Sequence, residues 1–474
     1  MASPRPSTKH SELGLAFYDL VEPAKFPKHI LRYRNRRWAG RVGLGKLSAK
    51  QWIAHFGKFE PLPGSFQTPL ALRYHGHQFR AYNPEIGDGR GFLFAQLHDL
   101  EDGRLLDLGT KGSGKTPFSR TADGRLTLKG GVREVLATEM LEAMGVDTSK
   151  TFSLIETGEA LSRGDEPSPT RASVLVRLNH SHIRIGTFER FAFFRDTENL
   201  RRLLNYSIAT YLPAAAGADD AASAPNFLRM VCQNVARVGA QWVAAGFVHG
   251  VLNSDNINIT GESFDYGPWR FLPAFDPNFT AAYFDETGLY SFGRQAEALA
   301  WNLTRLAECL LPFAEAEALN EALATFAEAY RREVPLALLA RLGLKPQGVE
   351  EDSALVTLLF DFLADTKAPY EQVLFDWRGG QLSDKRAARS PIAALYESAS
   401  FAPVRLGLSD RKPVARNLLA HRYFARLKPR TMLIEEMEAL WSPVAESDDW
   451  APFNAALGEI REMALAYGNW IGEK

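Results

Sequence analysis

The spacing of apolar residues along this chain changes character near residue 180. Before that point, short apolar runs are broken by Gly, Asp and Asn. Residues 92–96 and 105–108 read as strands, and the Asp102-Gly103 pair between them is a hairpin signal. One helix stands out in this part. Val132, Leu136 and Met140 recur at four-residue steps and Gly145 supplies a stop, which predicts a helix over 132–144. Beyond residue 180 helical periods dominate. Leu228, Val231, Val235, Val238 and Trp242 alternate three- and four-residue steps and end at Gly246. Further helical patterns run over 296–311, 316–330, 355–363, 434–440 and 453–467, and the Ala-rich stretch 213–225 reads as a surface loop between two helices. The layout predicts an α+β protein with a β-rich N-terminal lobe over 1–178 and a mainly helical lobe over 179–474.

Composition narrows the classes of partner. The 474 residues are 46% hydrophobic and 23% charged, ordinary for a globular chain too long for one small core. A formal net charge of −1 gives no field to draw in nucleic acid or an anionic membrane. No apolar run approaches the roughly 18 residues a membrane span needs. The opening MASPRPSTKHSELG lacks the layout of a secretory leader, and the only cysteines are Cys232 and Cys309. A reducing, cytoplasmic setting is the expectation.

The strongest chemical signal is His249-Gly-Val-Leu-Asn-Ser-Asp255-Asn256, followed by Asp265-Tyr266-Gly267. Protein kinases carry a His-Arg-Asp-x-x-x-x-Asn loop and then Asp-Phe-Gly, whose Asn and second Asp hold metals on the nucleotide phosphates. His249 and Asn256 have that separation, so Asn256 and Asp265 are candidate metal ligands, with oxygen donors suited to Mg²⁺. The predicted architecture is therefore a two-lobed, protein-kinase-like fold. At the kinase base position, however, stands Val251, which cannot accept a proton. Asp255 is the remaining carboxylate in the loop and the candidate base. Upstream, Lys111 follows a strand-like run and Glu134 falls in the first turn of the helix predicted from 132. Kinases need such a Lys–Glu pair on the phosphates, and the two are expected to meet as a salt bridge.

Other motifs carry less. Gly87-Asp-Gly-Arg90-Gly91 is either a hairpin turn or a cradle whose amides and Arg90 bind phosphate. Gly109-Thr-Lys-Gly-Ser-Gly114-Lys115-Thr116 matches the phosphate-binding-loop pattern literally, but Arg120-Thr-Ala-Asp-Gly124 breaks the helix that pattern requires, so Lys115 is read as a decoy. His77 has no second metal ligand at a helical spacing and reads as structural. The segment 32–38, basic and aromatic, reads as a solvated basic edge.

Taken together, these motifs resemble the selenoprotein O family, also called the YdiU family, of protein adenylyltransferases with a kinase-like fold. The resemblance runs from about Pro69 to Leu311, with an echo near Lys412-Pro-Val-Ala-Arg-Asn417. It rests on Gly76-His-Gln-Phe, the Gly87–Gly91 run, Lys111-Gly-Ser-Gly-Lys-Thr-Pro-Phe-Ser-Arg120, Asp123-Gly-Arg125, Arg133-Glu134, Arg177 with Arg184, the 246–256 run, Asp265-Tyr-Gly-Pro268, Ala274-Phe-Asp-Pro277 and Trp301-Asn-Leu303. The resemblance implies ATP bound in a flipped orientation, with AMP passing from the α-phosphate to Ser, Thr or Tyr of a protein. It also implies UMP transfer from UTP with Mn²⁺ as a variant of the same chemistry. By this likeness Asp255 is the base, and Asn256 and Asp265 hold Mg²⁺ or Mn²⁺. Gly87, Gly89, Arg90, Lys111, Asp123, Gly124, Arg177 and Arg184 contact the nucleotide, with Glu134 holding Lys111. The sequence departs from the family in ending Asn469-Trp-Ile-Gly-Glu-Lys474 without a terminal Cys, in Thr110 before Lys111, and in Phe118 where the family has Tyr. Kinase-type γ-phosphate transfer and an ATP-binding pseudokinase scaffold are the alternative readings.

Overall fold

The computed structural model describes residues 3–164 and 166–470. Its N-terminal part is built on a mostly antiparallel sheet. The strands are β1 (Pro6–Ser7), β2 (Tyr18–Leu20), β3 (Ile30–Arg34), β4 (Leu70–Leu72), β7 (Leu93–His98), β8 (Leu105–Lys111), β9 (Leu126–Thr127), β10 (Lys150–Leu161) and β11 (Thr170–Asn179), while β5 (Gly76–Gln78) and β6 (Ala81–Asn83) form a separate hairpin. The main order is β2-β4-β7-β8-β11-β10-β3, with β1 beside β7 and β9 beside β11. β7 and β8 pair from Leu93↔Gly109 to His98↔Leu105 around the predicted Asp102-Gly103 turn, where Gly103 takes φ 78.

Alternation across the pleat gives the sheet two different faces. Leu106, Leu108, Val174 and Val176 point toward short helices α1 (Arg36–Arg41) and α2 (Ala49–Phe56), packing with Trp38, Trp52 and Phe56. The opposite face carries Leu154 and Leu175 against α3 (Leu128–Ala143). The register Lys111↔Leu175 and Gly109↔Arg177 puts Lys111 and Arg177 on this second face together. α3 starts four residues earlier than the periodicity predicts. Thr127 caps it by accepting from Gly130 N, so Glu134 lies in the second turn rather than the first. The Gly130-Gly131 pair lies inside the helix, and Gly131 lets it pack closely on β10, where a side chain would run into Leu154.

Helices then take over: α4 (Ile185–Phe193), α5 (Thr197–Tyr211), α6 (Asp220–Ala245), α7 (Gln295–Leu310) and α8 (Ala316–Leu342), with further helices to Tyr467. A two-stranded ribbon, β12 (Phe247–His249) and β13 (Trp269–Phe271), interrupts them. α6 ends at Gly246 in the left-handed conformation, as expected. The predicted loop 213–225 is shorter than expected. Asp219 caps Ala222 N at 2.9 Å, and α6 runs through Pro225. A proline there costs up to ~3 kcal/mol in helix energy, offset by burial of Ala224, Pro225, Phe227 and Leu228. The segment 32–38 is also not a solvated edge. Arg32 pairs with Glu156 at 2.6 Å and with Asp448, Arg37 pairs with Glu142, and Trp38 is buried. Sheet first and helices after, the molecule has the α+β, two-lobed layout of a protein-kinase-like fold. Among the described residues no helix is long and apolar enough to cross a membrane.

Candidate active site

A cleft of about 370 Å³ lies between the second sheet face and the segment after α6. Its floor is an ion cluster. Lys111, the last residue of β8, is buried with Nζ 2.6 Å from Glu134 Oε2 and 2.9 Å from Asp265 Oδ1. Lys111 and Glu134 thus meet as predicted. Arg177 adds a second cation, 3.7 Å from Glu134 and 3.6 Å from Asp265. Arg184, just before α4, lies 3.9 Å from Asp265 and 3.4 Å from Asp88, its guanidinium stacked 4.2 Å from the Tyr74 ring. Burial would raise the Asp265 carboxyl, but Lys111, Arg177 and Arg184 outweigh it and hold it well below the usual range. Asp265 also sits in the left-handed region at φ 64, a conformation few residues other than Gly, Asn and Asp take readily.

The catalytic-type loop is held from several sides. His249, buried at the end of β12, accepts from Val251 N through Nδ1 at 3.3 Å and places Nε2 3.0 Å from the Phe264 carbonyl. One imidazole thereby ties the loop to the residue preceding Asp265. Asn302 of α7 donates to the Leu252 carbonyl at 2.8 Å. Asn256 donates through Nδ2 to the Val251 carbonyl at 3.1 Å, which leaves its Oδ1 as the end free for another partner. His77 is structural: its ring bonds Glu189, which also accepts from Ser254 Oγ, while Ser254 Oγ accepts from His77 N at 2.7 Å. Asp255 lies in the cleft wall with Oδ1 buried and without a hydrogen-bond partner. Burial pushes its carboxyl up to about 7; Arg184 opposes that rise, while Asp265 and Glu189 add to it.

Along the rim, Gly87, Asp88, Gly89, Arg90 and Gly91 all line the cleft. These glycines are required by close approach. A Cβ on Gly87 would lie 2.5 Å from the Phe118 ring, one on Gly89 3.0 Å from the Phe118 carbonyl oxygen, and one on Gly91 would overlap the Thr110 carbonyl. Lys115 is exposed, is not among the cleft residues, and after it no helix begins until Leu128. The phosphate-binding-loop match therefore lacks its helix. Asp123 and Gly124 stand behind the cleft residue Ala122 rather than on its surface. The Asp123 carboxylate is taken by Arg163 at 2.8 Å, and Gly124 (φ 71) packs on the Gly114 backbone. Asn256 is likewise not part of the cleft surface.

Sequence reasoning missed Tyr74, Asp88, Glu189 and Ser254. Only Asp88 had a local signal, as a carboxylate inside a glycine turn. Tyr74 and Glu189 reach the site through long-range packing, and Ser254, inside the loop motif, shows its part only through the remote partners His77 and Glu189.

Oxygen donors are present for a divalent cation. Asn256 Oδ1 and the Asp265 carboxylate suit Mg²⁺ or Mn²⁺, which takes its remaining ligands from phosphate and water. The carboxylates of Glu134, Asp265, Asp88 and Asp255 balance or exceed the three buried cations. A polyphosphate therefore needs positive charge beyond what these side chains supply.

Comparison with known proteins agrees with this geometry. The family model described as "Protein adenylyltransferase SelO" matches residues 5–461. A Gloeobacter violaceus protein named "Protein nucleotidyltransferase YdiU" is 44% identical over 469 residues, covering 95% of this chain and 94% of its own length. Relatives of the same name from Synechocystis sp. and Trichodesmium erythraeum are each 42% identical, over 95% and 94% of this chain and 96% of their own lengths. A full-length match, with the Lys–Glu–Asp cluster in place and an aliphatic residue at the kinase base position, leads to one conclusion: the chain belongs to the SelO family of protein adenylyltransferases.

Proposed function

We propose that this protein transfers AMP from ATP to a Ser, Thr or Tyr hydroxyl of a target protein and releases pyrophosphate. The observation that carries this reading is the state of Asp255. Among the described cleft residues, Asp265 and Asp88 are paired to cations, whereas the Asp255 carboxylate has no ion pair or hydrogen-bond partner at Oδ1. It is the acid free to take a proton. The hydroxyl proton passes to Asp255, the oxygen forms a bond to the α-phosphorus, and the bond from that phosphorus to the bridging oxygen breaks to expel pyrophosphate. Lys111, Arg177 and Arg184 offer charge for the departing phosphates, with the arginines able to bind them in a planar fork. When bound through Asn256 and Asp265, Mg²⁺ or Mn²⁺ would neutralise phosphate charge. Glycines 87 and 89 would let the backbone approach the nucleotide, Arg90 would pair with it, and Asp123 and Gly124 would shape the wall behind it. Within this reading the chain divides at residues 178 and 179, and the buried, free Cys232 and Cys309 suit a reducing cytoplasm.

ATP labelled at the α-phosphorus should mark protein, and ATP labelled at the γ-phosphorus should not. Asp255→Ala and Asp265→Ala should each suppress the mark. Label from the γ position with ADP as product would place the protein with kinases. The same assay with UTP, and with Mg²⁺ against Mn²⁺, decides nucleotide and metal.

A further inference from the structure

The segment after the Asp265 turn leaves an aromatic cluster in solvent. Tyr283 is 88% exposed, Phe284 45% and Phe79 39%. Their rings lie together, with Tyr283 and Phe284 centroids 5.2 Å apart and Phe284 and Phe79 6.0 Å apart. A lone exposed apolar side chain needs no explanation, but a cluster assembled from distant segments marks an interaction surface.

Three features connect the cluster to the cleft. Phe79 N donates to Asn253 Oδ1 at 3.0 Å, and the Tyr290 hydroxyl donates to the same oxygen at 2.7 Å. Asn253 stands two residues before Asp255, within ~7 Å of it along the chain. Gln78, the neighbour of Phe79, lines the cleft. Phe79 and Arg80 form the tip of the β5–β6 hairpin at φ 50 and φ 64. Turns of this kind favour Asn and Gly, and an aromatic there costs roughly 1–2 kcal/mol per residue in backbone energy. Strain held beside a reaction centre is characteristic of functional segments. The rim is acidic. Asp276 and Glu286 are exposed and carry no ion pair among the described residues, while Arg80 and Arg294 share the single carboxylate of Glu297.

We propose that this cluster docks the acceptor: an extended protein segment whose apolar side chain rests on Tyr283, Phe284 and Phe79, and whose Lys or Arg faces Asp276 and Glu286. The inference rests on the transfer reading above and names the acceptor chemistry. Because Asp255 is buried, a hydroxyl reaches it best from a protruding strand. At ~3.3 Å per residue such a strand places an apolar neighbour over the cluster within about four residues of the acceptor.

The test is a synthetic peptide array, each peptide with one Ser, Thr or Tyr and varied neighbours, incubated with full-length protein and α-labelled ATP. Peptides with Leu or Phe near the acceptor and a Lys or Arg flank should label best. The Tyr283→Ala/Phe284→Ala double variant should lower kcat/KM for the best peptide about tenfold, as loss of a central aromatic contact does, chiefly through KM, with ATP affinity unchanged. Asp276→Lys with Glu286→Lys should reverse the basic preference. Label without neighbour preference, or equal labelling by the double variant, overturns the docking surface alone. No α-label in any peptide or protein with the unaltered enzyme overturns the transfer reading and the docking surface with it.

Discussion

Arg184 grips Asp255 by its backbone and not by its carboxylate. Nη1 of Arg184 donates to the Asp255 carbonyl at 3.0 Å, while Asp255 Oδ1 lies buried without a partner. The loop is thus positioned by a cation that leaves the neighbouring carboxyl available for a proton.

Metal-free stability should report that arrangement. Burial raises the Asp255 carboxyl from an ordinary 3.8 to about 7. Between those values the folded protein keeps a proton that the unfolded chain has released, so this group's contribution falls as pH rises from about 4 to about 7 and then levels. Asp255→Asn cannot ionise and escapes the loss. Without metal, it should therefore gain stability relative to the unaltered protein at pH 8, with the gap shrinking toward pH 4, and it should not transfer AMP. Urea melts at both pH values measure this; a pH-independent gap would mean Asp255 titrates normally.

Replacing the two lysines should have opposite consequences. Lys111→Ala removes the ammonium shared by Glu134 and Asp265. Arg177 stays within 3.7 Å of both carboxylates, so the fold should survive while transfer falls about 100-fold or more, as for a lost charge-stabilising donor. Lys115→Ala alters an exposed side chain and should leave the rate within about twofold. Steady-state rates with α-labelled ATP compare them; equal losses would revive Lys115 as a phosphate ligand.

Glu189 should matter for rate without touching nucleotide. Its two oxygens bond the His77 ring and Ser254 Oγ, and Ser254 adjoins Asp255. Glu189→Ala leaves buried polar groups unpaired, a cost of ~1–3 kcal/mol. A fall in kcat of about tenfold or more is expected, with ATP affinity retained and Glu189→Gln partly restoring the rate. Loss of ATP affinity instead would assign Glu189 to the binding surface.

Gly91→Ala should destabilise the sheet. Its methyl would overlap the Thr110 carbonyl, which is backbone and cannot rotate aside. The strand must shift, so a loss of about 2 kcal/mol or more is expected, read as a lower thermal midpoint. An unchanged midpoint would show that the 87–91 turn relaxes freely.

Much of this molecule was legible from local pattern. The β7–β8 hairpin, the core of α3, the end of α6 at Gly246 and the residues of the Lys111–Glu134–Asp265 cluster are all readable from periods, turn residues and motif spacing. These are near-neighbour properties, set by backbone sterics and side-chain period. Misreadings occurred where tertiary packing overrides propensity: α3 extended back to the Thr127 cap, Pro225 inside α6, and the 32–38 segment tied to Glu156, Glu142 and Asp448.

By itself the sequence determined which chemical groups the protein possesses, in what order, and that Val251 excludes the usual kinase base. Only the tertiary structure decided which of them meet. Lys111 and Arg177 share a face because β8 pairs with β11 in one register, and a slip of one residue would turn either chain's side chains to the other face. Asp88, Arg184 and Asp255 converge from three segments, and Phe79 joins Tyr283 and Phe284 from some two hundred positions away. Neither meeting leaves a trace in local spacing, because each depends on the packing of elements remote in the chain.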